Sequence, residues 1–151
     1  MKWLLKGSKM DLMGVLESGQ VFRWEVIGEA EALLQYGNEA YVLKEKEDHL
    51  EVQGLFGEES LDSIRNFLQW DRDYEGLKWA LGEFPELKDP IKYCGDIRLL
   101  SQGFWECLIA FILSANNNIP RIKGSMKALS MRYGKYLGDY RGKPHYAFPQ
   151  P

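Results

Sequence analysis

An α+β fold is predicted by three observations. Apolar and polar residues alternate with a period of two in residues 21–27 and again in 49–53, with short apolar runs between them. From Ser60 onward apolar residues recur three and four apart, and a proline-bracketed stretch at residues 83–90 separates two units. The length of 151 residues suits one domain or two small ones. A content of 45% hydrophobic and 27% charged residues is that of a globular chain with a buried core.

In chain order, Val21 to Ile27 reads as a half-buried antiparallel strand, with Phe22, Trp24 and Val26 on one face and Arg23 and Glu25 on the other. Gly28 ends it. Ala32 to Tyr36 and Tyr41 to Lys44 read as two further strands across a Gly37-Asn38 turn, and His49 to Gln53 alternates again after Asp48. Short strands with tight connections predict an antiparallel meander.

Ser60 is placed to N-cap an amphipathic helix carrying Leu61, Ile64, Phe67 and Leu68. A second short helix is expected within Asp71–Leu81, with Leu77, Trp79 and Leu81 available for burial. Residues 83–90, bracketed by Pro85 and Pro90, read as a connection between two units of about 1–92 and 93–151. Phe104 to Ser114 is apolar almost all round, the pattern of a core helix. Another helix is expected from Arg121 through Ile122, Met126 and Leu129, with Asn118 as N-cap, Pro120 in its first turn and Gly134 as its stop. The residues after Gly142 have loop composition.

The longest apolar run, Phe104 to Ala115, is broken by Glu106 and falls short of the ~18 residues of a membrane-spanning helix. The N-terminal apolar stretch is too short for a signal peptide. Cys94 and Cys107 match neither a redox CxxC nor a zinc-ligand spacing and are read as reduced thiols. The net charge of −3 argues mildly against a nucleic-acid partner, yet residues 1–90 carry ten basic and nineteen acidic groups while residues 119–151 carry seven basic groups against Asp139 alone. Either the basic end marks where an anionic partner docks, or it is a solvated helix face.

Three asparagines stand between the apolar helix and the basic one. Asparagine caps helices and tolerates left-handed backbone, so helix punctuation accounts for one of them. Three in a row followed by Ile119-Pro120-Arg121-Ile122 also suit a corner that pushes a short amide into a duplex where a base has been extruded.

The stretch Trp105-Glu106-Cys107-Leu108-Ile109-Ala110-Phe111-Ile112 followed by Ser114-Ala115-Asn116-Asn117-Asn118-Ile119-Pro120-Arg121-Ile122 resembles 8-oxoguanine DNA glycosylases of the helix-hairpin-helix superfamily. Gly19-Gln20-Val21-Phe22-Arg23-Trp24, Ile97-Arg98-Leu99-Leu100-Ser101-Gln102 and Tyr146-Ala147-Phe148-Pro149 agree with the same family in the same order. The resemblance implies a TATA-binding-protein-like sheet domain with flanking helices, then the first helices of an all-α glycosylase domain. It implies base-excision repair: flipping and excising 8-oxoguanine opposite cytosine in double-stranded DNA, by a combined N-glycosylase and AP lyase. No cofactor and no metal are implied. The location would be the nucleoid-associated cytoplasm of a prokaryote or the nucleus of a eukaryote.

Residue by residue, the resemblance gives the Gly19 carbonyl to the N7–H of 8-oxoguanine. Guanine presents a lone pair there, so acceptor would meet acceptor. Read from the residues alone, Gly19 is a pre-strand turn. Asn116 would fill the vacated stack and bond the orphaned cytosine, and Arg121 would contact the same base. Gln20, Phe22, Asn117, Asn118 and Lys123 complete the expected DNA- and base-binding set, although Phe22 serves equally as a core residue and Lys123 as a phosphate contact or a solvated cation. The family's lysine nucleophile and assisting aspartate are expected beyond Pro151, so this chain alone is expected to be inactive and to require a further C-terminal part, or to dimerise through the helix at 104–115. Leaving a few hundred Å2 of that helix bare would forfeit several kcal/mol at ~25 cal/mol per Å2. The rival readings are an alkylated-base glycosylase of the same superfamily and a non-catalytic DNA-binding fragment.

Overall fold

The computed structural model describes residues 1–151. Five strands form one antiparallel sheet: β1 (Lys2–Lys6), β2 (Trp24–Gly28), β3 (Glu31–Tyr36), β4 (Glu39–Glu45) and β5 (His49–Gly54), in the order β1-β5-β4-β3-β2. Between β1 and β2 lies helix α1 (Leu12–Glu17), and after β5 come α2 (Leu61–Phe67) and α3 (Tyr74–Leu81). A 3-10 turn at Pro85–Leu87 leads into α4 (Lys88–Cys94). The long helices α5 (Phe104–Ser114) and α6 (Ile119–Tyr133) follow, and a hairpin of β6 (Tyr136–Tyr140) and β7 (Lys143–Tyr146) comes last.

The main core forms where α1 and α2 cover one face of the sheet. Leu12, Val15 and Leu16 of α1 and Ile64 and Phe67 of α2 meet Leu5, Leu34, Tyr41, Leu43, Leu50 and Val52. The alternation read from the sequence is kept in β5, where Leu50 and Val52 are buried between half-buried neighbours. The central strands are buried on both faces, because the cross-strand pair Leu33–Val42 is covered on the opposite side as well. Ser60 caps α2 as expected, its side chain accepting from the Ser63 amide at 3.0 Å.

Several expectations change. Trp24 and Val26 do share a face, opposite Leu34 and Ala32, but Phe22 leaves it and Arg23 is buried. The strand begins only at Trp24, so the period of two does not extend back to Phe22. The connection at 83–90 contains helix: Pro90 falls in the first turn of α4, where its missing N–H costs nothing. Leu77, Trp79 and Leu81 of α3 remain 38%, 74% and 45% exposed. Residues 143–146, expected as loop, form β7.

The second, smaller core joins α5, α6 and the chain after β7 through Ala110, Ile122, Met126 and Phe148, with Phe22 and Trp105 packed against it. Against the expectation of a core helix, α5 buries only Ala110 and shows Phe104, Phe111 and Ile112 to solvent. No helix is long and apolar enough to cross a membrane, and Cys94 and Cys107 are both free and exposed.

Candidate nucleic-acid interface

At the α5–α6 corner the three asparagines have different tasks. Asn117 closes α5, its amide donating to the Leu113 carbonyl at 2.9 Å. Asn118 opens α6, its side-chain oxygen accepting from the Arg121 amide at 3.1 Å. Asn116 precedes both, with φ +50°, exposed, and its side chain has no hydrogen-bond partner in the chain. The side chains of Asn117 and Asn118 are thus used at the two helix ends, while Asn116 takes the left-handed turn position that asparagine tolerates, with the Asn117 backbone amide donating to the Ser114 carbonyl at 3.2 Å, and presents a free amide. Arg121 is exposed in the first turn of α6, beyond reach of any carboxylate, at the positive end of the helix dipole.

Gly19 follows the C-terminus of α1 with φ +82°, a left-handed position that glycine adopts without cost. A helix-stop glycine is thus part of its role. Its surroundings add more: beyond its chain neighbours, a side-chain methyl at this position would meet only Ile119 Cδ1, at 3.8 Å. The turn at Gly19 and the first residue of α6 are therefore neighbours, so motifs a hundred positions apart in sequence meet at one place.

The remaining expected residues are placed differently. The Gln20 side-chain amide is engaged with the backbone of residues 98 and 100. Phe22 is half-buried in the second core. Lys123 stacks its ammonium on the Trp24 ring, 3.4 Å from the centroid, and burial pulls its pKa below the usual lysine value against the opposing pull of Glu17. It holds α6 to the sheet rather than reaching outward.

Sequence reasoning missed two buried arginines. Arg23 is 6% exposed; its Nη1 meets both oxygens of Glu106 at 3.2 and 3.3 Å, and its Nη2 donates to the Tyr146 carbonyl at 2.6 Å. Burial lowers its pKa and Glu106 raises it, a balance that leaves a guanidinium charged. The available signal was Glu106 itself, the lone charge in an apolar helix. Arg98, 2% exposed, donates to the carbonyls of Lys9 and Gln69 and lies over the rings of Trp70 and Tyr74.

Three of the seven basic residues after position 119 pair with the acidic half. Lys135 pairs with Glu58, Arg141 with Glu31 and Lys143 with Glu25, at 3.4, 3.4 and 3.6 Å. A cleft of about 300 Å3 between α6, the sheet and β7 is lined by Trp24, Lys123, Lys127 and His145. Burial lowers the His145 pKa, and its Nε2 has no partner.

A helix-backed antiparallel sheet joined to a two-helix corner defines the class of unit that opens solved 8-oxoguanine glycosylases. The structure of MBOgg1 in complex with a low-affinity DNA ligand superposes with a TM-score of 0.90 at 32% identity, over 99% of this chain and 52% of that one. Clostridium acetobutylicum 8-oxoguanine glycosylase/lyase in its apo form gives 0.89 at 29%, also over 99% and 52%. The same enzyme with double-stranded DNA containing cytosine opposite 8-oxoG gives 0.85 at 30%, over 93% and 48%. The N-glycosylase/DNA lyase of Saccharomyces cerevisiae is 29% identical over 98% of this chain and 43% of its own length.

The chain belongs to the 8-oxoguanine DNA glycosylase family, whose N-terminal domain matches residues 3–108. It spans about half the length of these relatives.

Proposed function

We propose that this chain supplies the inspecting face of an 8-oxoguanine DNA N-glycosylase/AP lyase of base-excision repair, acting on 8-oxoguanine opposite cytosine in duplex DNA. In this reading Asn116 fills the space of the extruded base and bonds the orphaned cytosine, Arg121 reads the same base, and the Gly19 carbonyl accepts from the lesion's N7–H. The observation that carries it is Asn116: one free amide on a left-handed residue, directly before two asparagines whose side chains are already used. The nearness of Gly19 to Ile119 supports it, since lesion and orphan partner must be met at neighbouring places. The catalytic lysine and aspartate lie on a further part of the protein, outside residues 1–151.

Asn116→Ala in the full-length natural protein should weaken equilibrium binding to an 8-oxoguanine:cytosine duplex about tenfold, the worth of one good amide–base contact. Binding within twofold of wild type at fixed salt would sink this role. Asn117→Ala, which removes a cap, should act on stability instead.

The bare face of α5 belongs in the same reading. Phe104, Phe111 and Ile112, at 80%, 75% and 58% exposure, suit burial against further helices of the same protein, with a dimer through 104–115 as the alternative. Residues 1–151 expressed alone should therefore self-associate in sedimentation velocity. A monomer across the micromolar range would speak against both.

A further inference from the structure

Gln20 stands beside the proposed lesion-reading carbonyl, yet none of its polar side-chain atoms is free to meet DNA. Its Nε2 donates to the Arg98 carbonyl at 2.8 Å and to Ser18 Oγ at 3.0 Å. Its Oε1 accepts from the Leu100 amide at 2.9 Å, and its own backbone carbonyl accepts from Gln102 Nε2 at 2.5 Å. The pair of bonds to the carbonyl of residue 98 and the amide of residue 100 copies the way one strand grips the next.

What Gln20 grips is itself fixed. The Arg98 guanidinium is buried and donates to the Lys9 carbonyl at 3.0 and 2.7 Å, and the Ser101 amide donates to the Phe67 carbonyl at 2.8 Å. The Gly19 carbonyl belongs to the peptide unit that ends at the Gln20 nitrogen, and it accepts no hydrogen bond from the chain. With φ +82° and no side chain, Gly19 has nothing of its own to hold that peptide plane.

We propose that Gln20 is a positioning residue: it splints the turn after α1 to the connector 98–102 and thereby sets the direction of the Gly19 carbonyl. This rests on the proposed role of Gly19. A carbonyl that must separate a donor from a lone pair on the same ring atom works only if its direction is fixed, because a peptide free to tilt accommodates either base. The splint therefore governs lesion preference, whereas contact with the orphaned cytosine belongs to the α5–α6 corner.

The test is equilibrium binding by the full-length natural protein to three duplexes, each with cytosine opposite 8-oxoguanine, guanine or a stable abasic-site analogue. Wild type should prefer 8-oxoguanine over guanine. Gln20→Ala should reduce that preference about tenfold, the worth of roughly one hydrogen bond, while binding to the abasic-site analogue stays within twofold. Gln102→Ala removes a single bond of the splint and should shift the preference in the same direction by less; it carries the test if Gln20→Ala does not fold. A preference unchanged in the variants, or an equal loss on all three duplexes, overturns the positioning role. A wild-type protein with no preference between lesion and guanine overturns the role of Gly19, and this inference with it.

Discussion

Arg23→Ala is expected to lower the unfolding free energy by about 3–5 kcal/mol, the cost of leaving one member of a buried ion pair behind. The Arg23 and Glu106 side chains are only 4% and 15% exposed. Without the guanidinium, Glu106 keeps the Gly37 amide at 2.8 Å as its partner, and the Tyr146 carbonyl loses a donor at 2.6 Å. The measurement is chemical denaturation, read as a fall in midpoint at unchanged slope. Arg23→Lys should recover only part, since one ammonium cannot bridge both Glu106 oxygens and the Tyr146 carbonyl. Arg23→Met combined with Glu106→Leu should recover most, because that double change leaves no unpaired charge. A loss below about 1 kcal/mol for Arg23→Ala would mean that the pair behaves as a surface bridge.

Gly134→Ala should cost about 3 kcal/mol, at the upper end for overpacking, and lower Tm by ~6–12 °C in a chain of this size. Gly134 has φ −81° and ψ 153°, which any residue adopts, so backbone freedom is not its reason. A Cβ there would lie 2.0 Å from the Ala147 carbonyl oxygen and 2.6 Å from that of Ser130. Both are backbone atoms: one belongs to the last turn of α6, and the other to a residue whose amide bonds Lys135 at 2.8 Å. Neither can rotate away. Gly124→Ala, in the same helix with nothing within 4 Å of its added methyl, should instead gain about 0.5–1 kcal/mol from helix propensity. Equal melting temperatures for the two variants would contradict the steric account.

The strand β5 was legible because one apolar face produces a clean period of two, and β3 and β4, buried on both faces, because short apolar runs flank the Gly37-Asn38 turn. Others lacked their usual marks. The turn of the β6–β7 hairpin is Arg141-Gly142, both with positive φ, and an arginine is not the residue that announces such a turn. Pro90 hid α4 because a first-turn proline looks the same in sequence as a helix breaker. Leu12, Val15 and Leu16 do carry a helical spacing, but Gly14 interrupts it within only six residues.

At the site, motif spacing alone does not show that the turn at Gly19 lies beside Ile119, as it does in the structure. It did not separate Asn116 from its neighbours, because hydrogen-bond use is decided in three dimensions. The excess of positive charge after residue 119 reads as a docking signal, yet Lys135, Arg141 and Lys143 face glutamates of the sheet half. A charge count along the chain cannot tell a partner outside from a partner inside. Alternation puts Arg23 on a solvent face, where arginine usually is, and only Glu106 explains why this one is buried.

The Arg23 clasp also bears on time. Its bonds join residues 83 and 123 positions apart, to Glu106 and to Tyr146. Contacts across so much chain carry a large closure entropy and form after the local hairpins of the meander. Bonds absent from the rate-limiting ensemble leave the speed of folding nearly untouched and set how long the folded state survives. The clasp then acts as a latch on lifetime: a weakened Arg23 shortens the endurance of the native state far more than it delays arrival there.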